Sequence, residues 1–160
     1  MAERRMFAIR VIESDGFLDM PAITQALYFH LCMAADDDGF VNNPKKIQRI
    51  IEATNEDIQL LINKKFIILF ESGIVVITHW KIHNYIRNDR YKPTDFLEEK
   101  DKIYIKKTGE YSLDSNVNSV QMSYQRYTRC HTNGIPDVIP TVYPGKYSLV
   151  KDKIKENNFL

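Results

Sequence analysis

The sequence predicts an α+β fold whose elements follow the order helix, strand, helix, helix, strand, strand. Three observations predict it: two short amphipathic helical patterns lie in succession, two β-branched and aromatic runs joined by a turn follow them, and a short apolar run precedes them. This order is that of a winged helix-turn-helix, a unit used by DNA-binding proteins. We expect a basic extension and a flexible C-terminal tail after it.

The helical pair is predicted over Pro44 to about Ala53 and over Asn55 to about Lys65. Pro44 is favourable at the start of a helix, where its missing N–H costs nothing. Thr54 followed by Asp57 has the spacing of a capping box, which begins the second helix. Apolar residues spaced three and four positions apart predict one buried face on each helix. They are Ile47, Ile50 and Ile51 in the first helix and Ile58, Leu61 and Ile62 in the second.

Three short runs predict the strands. Phe66–Phe70 and Ile74–Thr78 are rich in apolar residues of high β propensity, and Glu71–Gly73 between them contains the Ser-Gly of a tight turn. We therefore expect a β-hairpin. Phe40–Val41 is a candidate third strand that would complete a three-stranded sheet.

The N-terminal part predicts one long helix. Arg4–Ile12 fits either a short helix or an edge strand, and Ser14–Gly16 breaks the pattern. Asp19 is the predicted N-cap, and Pro21 lies just inside a helix that continues to about Ala34. We expect this helix to pack behind the helical pair.

Composition limits the classes of function. The 160 residues suffice for one domain with a core and a tail, and 44% apolar with 27% charged residues is ordinary for a soluble globular protein. The 22 basic and 21 acidic residues give a formal charge of +1. A nucleic-acid surface in this chain therefore requires that charges be segregated, because there is no overall excess.

The cysteines and the apolar runs predict a cytoplasmic protein. Cys32 and Cys130 lie far apart in unlike surroundings, which favours free thiols in a reducing compartment. No apolar run approaches the roughly 18 residues of a membrane span, and no signal core follows the charged N-terminus.

A basic extension follows the hairpin. The segment His79–Lys92 carries four basic residues against one acidic residue, with Trp80, His83, Tyr85 and Tyr91 interleaved. Such a segment is typical of a phosphate-contacting surface. A short helix from Thr94 to about Lys100 and an edge strand over Lys102–Lys106 are predicted next. Residues 1–110 thus form the predicted winged domain with its extension, and residues 111–160 a polar linker and charged tail that we expect to be largely disordered.

Metal and catalytic patterns are not supported. Asp36–Gly39 lacks the alternating spacing and the distant Glu of a calcium loop, and a helix-terminating turn explains it better. His79 and His83 are four residues apart, but nothing completes a tetrahedral zinc site. His30 is most simply a packed core histidine, and no glycine-rich phosphate loop or nucleophile–base pair is present. We expect no enzyme activity, no cofactor and no metal.

Several contiguous stretches resemble the N-terminal domain of phage replisome organiser proteins, which are related in fold to DnaD-type primosome proteins. The stretches are Asp19–Pro21, Thr24–Leu31, Ala35–Pro44, His79–Trp80, His83–Ile86 and Asp89–Thr94. The resemblance covers roughly Met1 to Leu113. It implies a winged-helix protein that binds double-stranded origin DNA at the start of phage replication, helps to bring in the helicase or its loader, and forms homo-oligomers. Many such proteins continue past a polar linker into a further domain, so the resemblance predicts DNA binding more directly than recruitment.

Ten residues are candidates for DNA contact. Lys45, Lys46 and Arg49 lie on the first helix of the pair as candidate phosphate contacts, and Gln59 and Asn63 lie where a recognition helix would present base-reading amides. The remaining candidates are basic: Lys64, Lys81, Arg87, Arg90 and Lys92.

Acidic residues nearby leave alternatives open. Glu56 and Asp57 put negative charge at the start of the second helix, and Glu71 lies near the tip of the wing. A wing of this kind is a poor DNA probe, and its apolar face could instead support dimerisation. The alternatives are a protein-interaction module and a small transcriptional regulator on the same fold.

Overall fold

The computed structural model describes residues 4–115 and 119–122, and in these ranges the chain is an α+β protein with seven helices and two small antiparallel sheets. The helices are α1 (Ile9–Ile12), α2 (Asp15–Leu18), α3 (Ala22–Ala34), α4 (Pro44–Ile50), α5 (Asn55–Asn63), α6 (Trp80–His83) and α7 (Leu97–Asp101). The strands are β1 (Phe40–Val41), β2 (Ile67–Leu69), β3 (Val75–Ile77), β4 (Tyr104–Lys106), β5 (Tyr111–Ser112) and β6 (Ser119–Gln121).

The first sheet has the strand order β1-β3-β2, so the short strand before the helical pair lies beside the second strand of the hairpin. Val76 in the centre of β3 pairs with Phe40 on one side and with Ile68 on the other. All three residues of β3 are fully buried. The predicted hairpin and its third strand are therefore present.

The helical pair begins as predicted. Asn43 caps α4 by accepting a hydrogen bond from the backbone N–H of Lys46, and Pro44 occupies the first turn. Thr54 and Asp57 form both bonds of a capping box at the start of α5. The Asp57 carboxylate also accepts a hydrogen bond from the Thr24 hydroxyl, which ties α5 to α3.

Both helices of the pair end in a left-handed residue that is not glycine. Glu52 has φ 57° after α4, and Lys65 has φ 62° after α5. In each case the next N–H closes a Schellman motif, because Ala53 donates to the Gln48 carbonyl and Phe66 donates to the Leu61 carbonyl, both at 2.9 Å. The two tight turns fix the direction in which the chain leaves each helix.

An aromatic cluster joins α2 and α3 to the first sheet. Phe17 of α2 packs edge-to-face against Tyr28, Phe29 and Phe66, with ring centroids 5.5–5.6 Å apart. Such pairs each contribute about 0.5–1.5 kcal/mol beyond the burial of their area. The core of the domain therefore lies between α3 and the sheet.

The second sheet corrects two predictions. β4 lies in its centre, between β5 and β6, whereas Lys102–Lys106 was predicted as an edge strand. β5 and β6 fall in the predicted linker, so the ordered part extends beyond residue 110. The Tyr111 N–H donates to the Thr78 carbonyl at 2.8 Å and links β5 to the end of β3. The predicted tail from residue 123 onward lies outside the described residues.

Other boundaries and exposures also differ from prediction. Pro21, not Asp19, is the N-cap of α3. Ser14 is the N-cap of α2, which starts inside the segment that was predicted to be a break. Ile50 is 62% exposed because α4 ends at this residue and turns it away from the core. His30 is exposed, so it is not a core histidine. The helix predicted from Thr94 begins later, at Leu97.

Among the described residues, no helix is long and apolar enough to cross a membrane.

Candidate nucleic-acid interface

Three of the predicted phosphate-contacting residues lie together on α4. Lys45, Lys46 and Arg49 are exposed and line an open depression of about 490 Å³, which Asn43 and Ile50 complete. Lys45 and Arg49 are one helical turn apart and therefore lie on the same side of α4. We call these five residues the α4 surface.

The cations of the α4 surface lack carboxylate partners. No Asp or Glu oxygen of the described residues lies within 4.0 Å of the charged nitrogens of Lys45, Lys46 or Arg49. A phosphate that binds here need not displace an internal ion pair. The α4 surface can therefore bind a polyanion by direct charge–charge contact.

The exposed side of α5 has a different character. Gln59 and Asn63 are exposed, as a base-reading role requires, but the exposed Glu56 precedes them on the same helix. Asp57, the other acidic residue predicted at the start of this helix, is buried in the capping box and does not face solvent. Lys64 is half-buried, and its ammonium lies 4.0 Å from the Asp19 carboxylate. This helix carries amides and one acid where α4 carries cations.

The second group of predicted cations lies on the segment after α6. The first residues of the predicted basic extension form α6, so from here on we call only residues Asn84–Thr94 the extension. Within it Arg87, Arg90 and Lys92 are exposed. The Arg87 guanidinium lies 3.2 Å from the Asp89 carboxylate, and both side chains are largely in solvent. Lys81 precedes the extension on α6 and is half-buried.

Asp38 holds the extension to the domain. Its carboxylate accepts hydrogen bonds from the Tyr91 hydroxyl at 2.7 and 2.8 Å, from the Thr94 N–H at 3.0 Å and from the Lys100 ammonium at 2.7 Å. The side chains of Asp38 and Lys100 are each only 7% exposed, so they form a buried ion pair. The three partners are 53, 56 and 62 residues away in sequence.

The rest of the turn that contains Asp38 makes further long-range contacts. We call residues Asp36–Gly39 the Asp turn. The Asp37 carboxylate binds the Arg5 guanidinium at 3.4 Å and accepts from the Lys92 N–H at 3.0 Å. The Trp80 indole N–H donates to the Asp37 carbonyl at 2.9 Å, and the Arg5 guanidinium lies over the Trp80 ring.

Gly39 is required by this packing. It has φ +92°, and a Cβ there would lie 2.5 Å from the Trp80 ring. The residue pattern of the Asp turn predicted only the end of a helix. Sequence pattern held no signal for its wider role, because the partners of Asp37 and Asp38 lie 32 to 73 residues away.

The predicted histidine pair is structural. The Ala8 N–H donates to His83 Nδ1 at 2.9 Å, which assigns the proton to Nε2, and Nε2 donates to the Tyr28 hydroxyl at 2.8 Å. Burial and, as a smaller cause, the charge of the nearby His79 together lower the pKa of His83 to about 4. Burial also lowers the pKa of His79. Both imidazoles are therefore neutral at pH 7.

The described residues contain neither a metal-binding cluster nor a reactive thiol. No group of three His, Cys, Asp or Glu side chains in this part of the chain is placed to hold a metal ion. Cys32 is buried, and burial raises the pKa of its thiol, which keeps it protonated. Cys130 lies outside the described residues.

Comparison of the chain with models of protein families, with curated proteins and with solved structures finds no match.

Proposed function

We propose that this chain is a winged-helix DNA-binding protein that takes part in starting phage DNA replication as a replisome organiser. The element order supports this proposal, since α3, β1, α4, α5, β2 and β3 follow one another as the helices and strands of a winged helix do. The strand order β1-β3-β2 supports it too, because it brings the strand before the helical pair into the sheet of the hairpin.

The observation that carries the proposal is the α4 surface. In a chain with a formal charge of only +1, three cations without carboxylate partners in the described residues share one exposed helix. Because basic and acidic residues are nearly equal in number over the chain, three neighbouring cations on one helix face are a segregation of charge, which favours a polyanionic partner. Duplex DNA provides one negative charge for every ~1.7 Å of its axis.

Each group of residues has a role in this proposal. Lys45, Lys46 and Arg49 contact phosphates, and so do the cations of the extension. Gln59 and Asn63 are the side chains available for base contacts. The protein works by binding and assembly rather than by catalysis, and its expected protein partners are further copies of itself and the helicase or its loader.

A salt titration tests DNA binding. Affinity for a duplex is measured by filter binding between about 50 and 200 mM salt, for the wild type and for K45Q/K46Q. Each lost phosphate contact lowers the slope of log K against log salt by roughly 0.9 in magnitude. We expect K45Q/K46Q to lower it by about 2, while K102Q/K107Q, which neutralises two exposed lysines at the second sheet, leaves it unchanged. A wild type that binds no duplex at 50 mM salt would favour the protein-interaction alternative.

The replication role needs a separate test. A plasmid that depends on a phage origin should replicate with the wild type and with K102Q/K107Q, and fail with K45Q/K46Q/R49Q. Repression of the protein's own promoter without any effect on plasmid replication would instead support a transcriptional regulator.

A further inference from the structure

We infer that the α4 surface and the extension contact the phosphate backbone of one and the same duplex, and that the Asp turn is the element that holds the two at a fixed separation. This inference rests on the proposed DNA binding. Beyond DNA binding itself, it identifies the two surfaces that act together and the element that positions them. It also states that their contact with DNA does not depend on base sequence.

The first step is the separation of the two anchor points. The extension is bound to Asp37 through the Lys92 N–H, and α4 begins at its cap Asn43. Only β1 and its flanking residues lie between these points. Six residues of fully extended chain span at most about 20 Å. At 3.4 Å per base pair, this distance corresponds to roughly six base pairs.

The second step is the rigidity of the extension. Tyr91 bonds both oxygens of Asp38, and the Lys100 ammonium, which neutralises that carboxylate, also lies 5.8 Å from the centre of the Tyr91 ring. Thr94 N–H adds a third attachment to the same carboxylate. A segment fixed in this way loses little conformational entropy when it binds, so its cations contribute more to affinity than those of a free linker.

The third step is the availability of the cations. Arg90 and Lys92 have exposed side chains without a carboxylate partner within 4.0 Å among the described residues. Arg87 is paired with Asp89, but exposed pairs of this kind contribute little to stability, so a phosphate replaces the carboxylate at little cost. The extension therefore offers up to three phosphate contacts.

The fourth step separates backbone contact from base reading. Six of the eight basic candidates are on α4 and the extension, whereas the amides that could read bases are on α5 beside Glu56. Phosphate contacts fix position and carry no sequence information. The affinity of the two surfaces should accordingly be the same for duplexes of equal length and different sequence.

Neutralising variants on a 12-base-pair duplex test the shared contact. We expect K45Q/K46Q/R49Q and R87Q/R90Q/K92Q each to lower the salt slope by about 3 in magnitude, and the combined variant by about 5, with one duplex bound per chain. Two scrambled duplexes should give equal slopes and affinities. The inference is overturned if R87Q/R90Q/K92Q has the wild-type slope, or if two short duplexes bind one chain independently.

Tyr91→Phe tests the positioning role of the Asp turn, because it removes only the hydroxyl that bonds Asp38. We expect its salt slope to approach that of R87Q/R90Q/K92Q, and trypsin to cleave it after Arg87 and Arg90 several-fold faster than the wild type. Tyr85→Phe is the matched control, since Tyr85 is 74% exposed on the same extension, and should behave like the wild type in both measurements. A merely structural Tyr91 would leave the salt slope unchanged.

The two kinds of failure are distinguishable. A wild type that does not bind duplex DNA overturns the proposed function, and with it the shared contact. Normal wild-type binding with a Tyr91→Phe variant that has an unchanged slope, whatever its cleavage rate, overturns the positioning role alone.

Discussion

Asp38 and Asp57 are both buried carboxylates, yet they are satisfied in opposite ways. Asp57 accepts only neutral donors, from the Thr54 backbone and hydroxyl three residues away and from Thr24 on α3. Asp38 accepts hydrogen bonds from an ammonium, a phenol and a backbone N–H that are more than fifty residues distant. Asp57 starts a helix, whereas Asp38 joins segments with little apolar area of their own. A buried ion pair in that position holds the fold together only while both charges are present.

The largest effect is expected for Asp38→Asn. It leaves the Lys100 ammonium buried without a countercharge, which should lower the free energy of unfolding by about 3–5 kcal/mol. Urea unfolding followed by circular dichroism measures this change. The control is D38N/K100M, which removes both charges and should recover most of the loss. If D38N alone costs less than about 1 kcal/mol, the pair does not hold the extension.

Unlike the ion pair at Asp38, the long-range contacts of His83 with Ala8 and Tyr28 need a neutral side chain, and a pH titration of stability tests this. The pKa of His83 is about 4 in the folded chain, against 6.5 for an ordinary histidine, so the unfolded chain binds more protons between these values. The contribution of His83 is complete above pH 6.5 and is lost as the pH falls towards 4. The expected loss is about 3 kcal/mol at most.

His83→Gln is the control for the titration, because glutamine retains one acceptor and one donor but does not titrate. Its stability should fall less than that of the wild type between pH 6.5 and pH 4 in the same urea experiment, and the fall that remains includes that of His79, whose pKa burial also lowers. An equally steep fall in this variant would assign the effect to other groups.

Asp57→Asn should cost less than Asp38→Asn, about 1–3 kcal/mol, since it leaves neutral donors without an acceptor but no buried charge. Burial raises the pKa of Asp57, but hydrogen bonds from Thr24 and Thr54 outweigh it and lower the pKa below 3.8. Its contribution is therefore present above pH 3.8 and disappears below that pH. Thermal unfolding of the wild type and the variant at pH 7 and at pH 3 measures both effects, and the difference between the two proteins should shrink in acid.

The smallest effect is a gain in stability. Lys65→Gly relieves the left-handed conformation at the end of α5 and should raise the free energy of unfolding by about 0.5–1 kcal/mol. Lys65→Ala removes the same charge but keeps a side chain in that conformation, so it should give no gain. Equal stability of the two variants in urea would show that the backbone conformation is not the cause.

Local signals explain which parts of the fold could be predicted. The cap of α5 and the hairpin turn each depend on residues within a few positions of one another, and both predictions are confirmed. The left-handed ends at Glu52 and Lys65 gave no signal, because glycine is the usual marker of such a turn. The short, polar strands β5 and β6 lack the apolar alternation by which strands are recognised.

The candidate interface likewise has one part that local sequence predicts and another that it does not. The spacing of Lys45 and Arg49 on one helix was enough to predict that they lie together, and the depression on α4 bears this out. The attachment of the extension could not be predicted, because it depends on Asp38 meeting Tyr91 and Lys100 in three dimensions. Ile50 was misplaced since the helical pattern does not reveal that α4 ends there.

Trp80 gives the Asp turn a built-in optical reporter. It is the one tryptophan of the sequence, it is buried, and its indole ring touches both the Asp37 carbonyl and the Arg5 guanidinium. The tryptophan emission of the whole chain thus originates at the junction of α6 and the N-terminal arm, the described residues 4–8 before α1. A shift in emission wavelength will register the release of that arm without any attached dye.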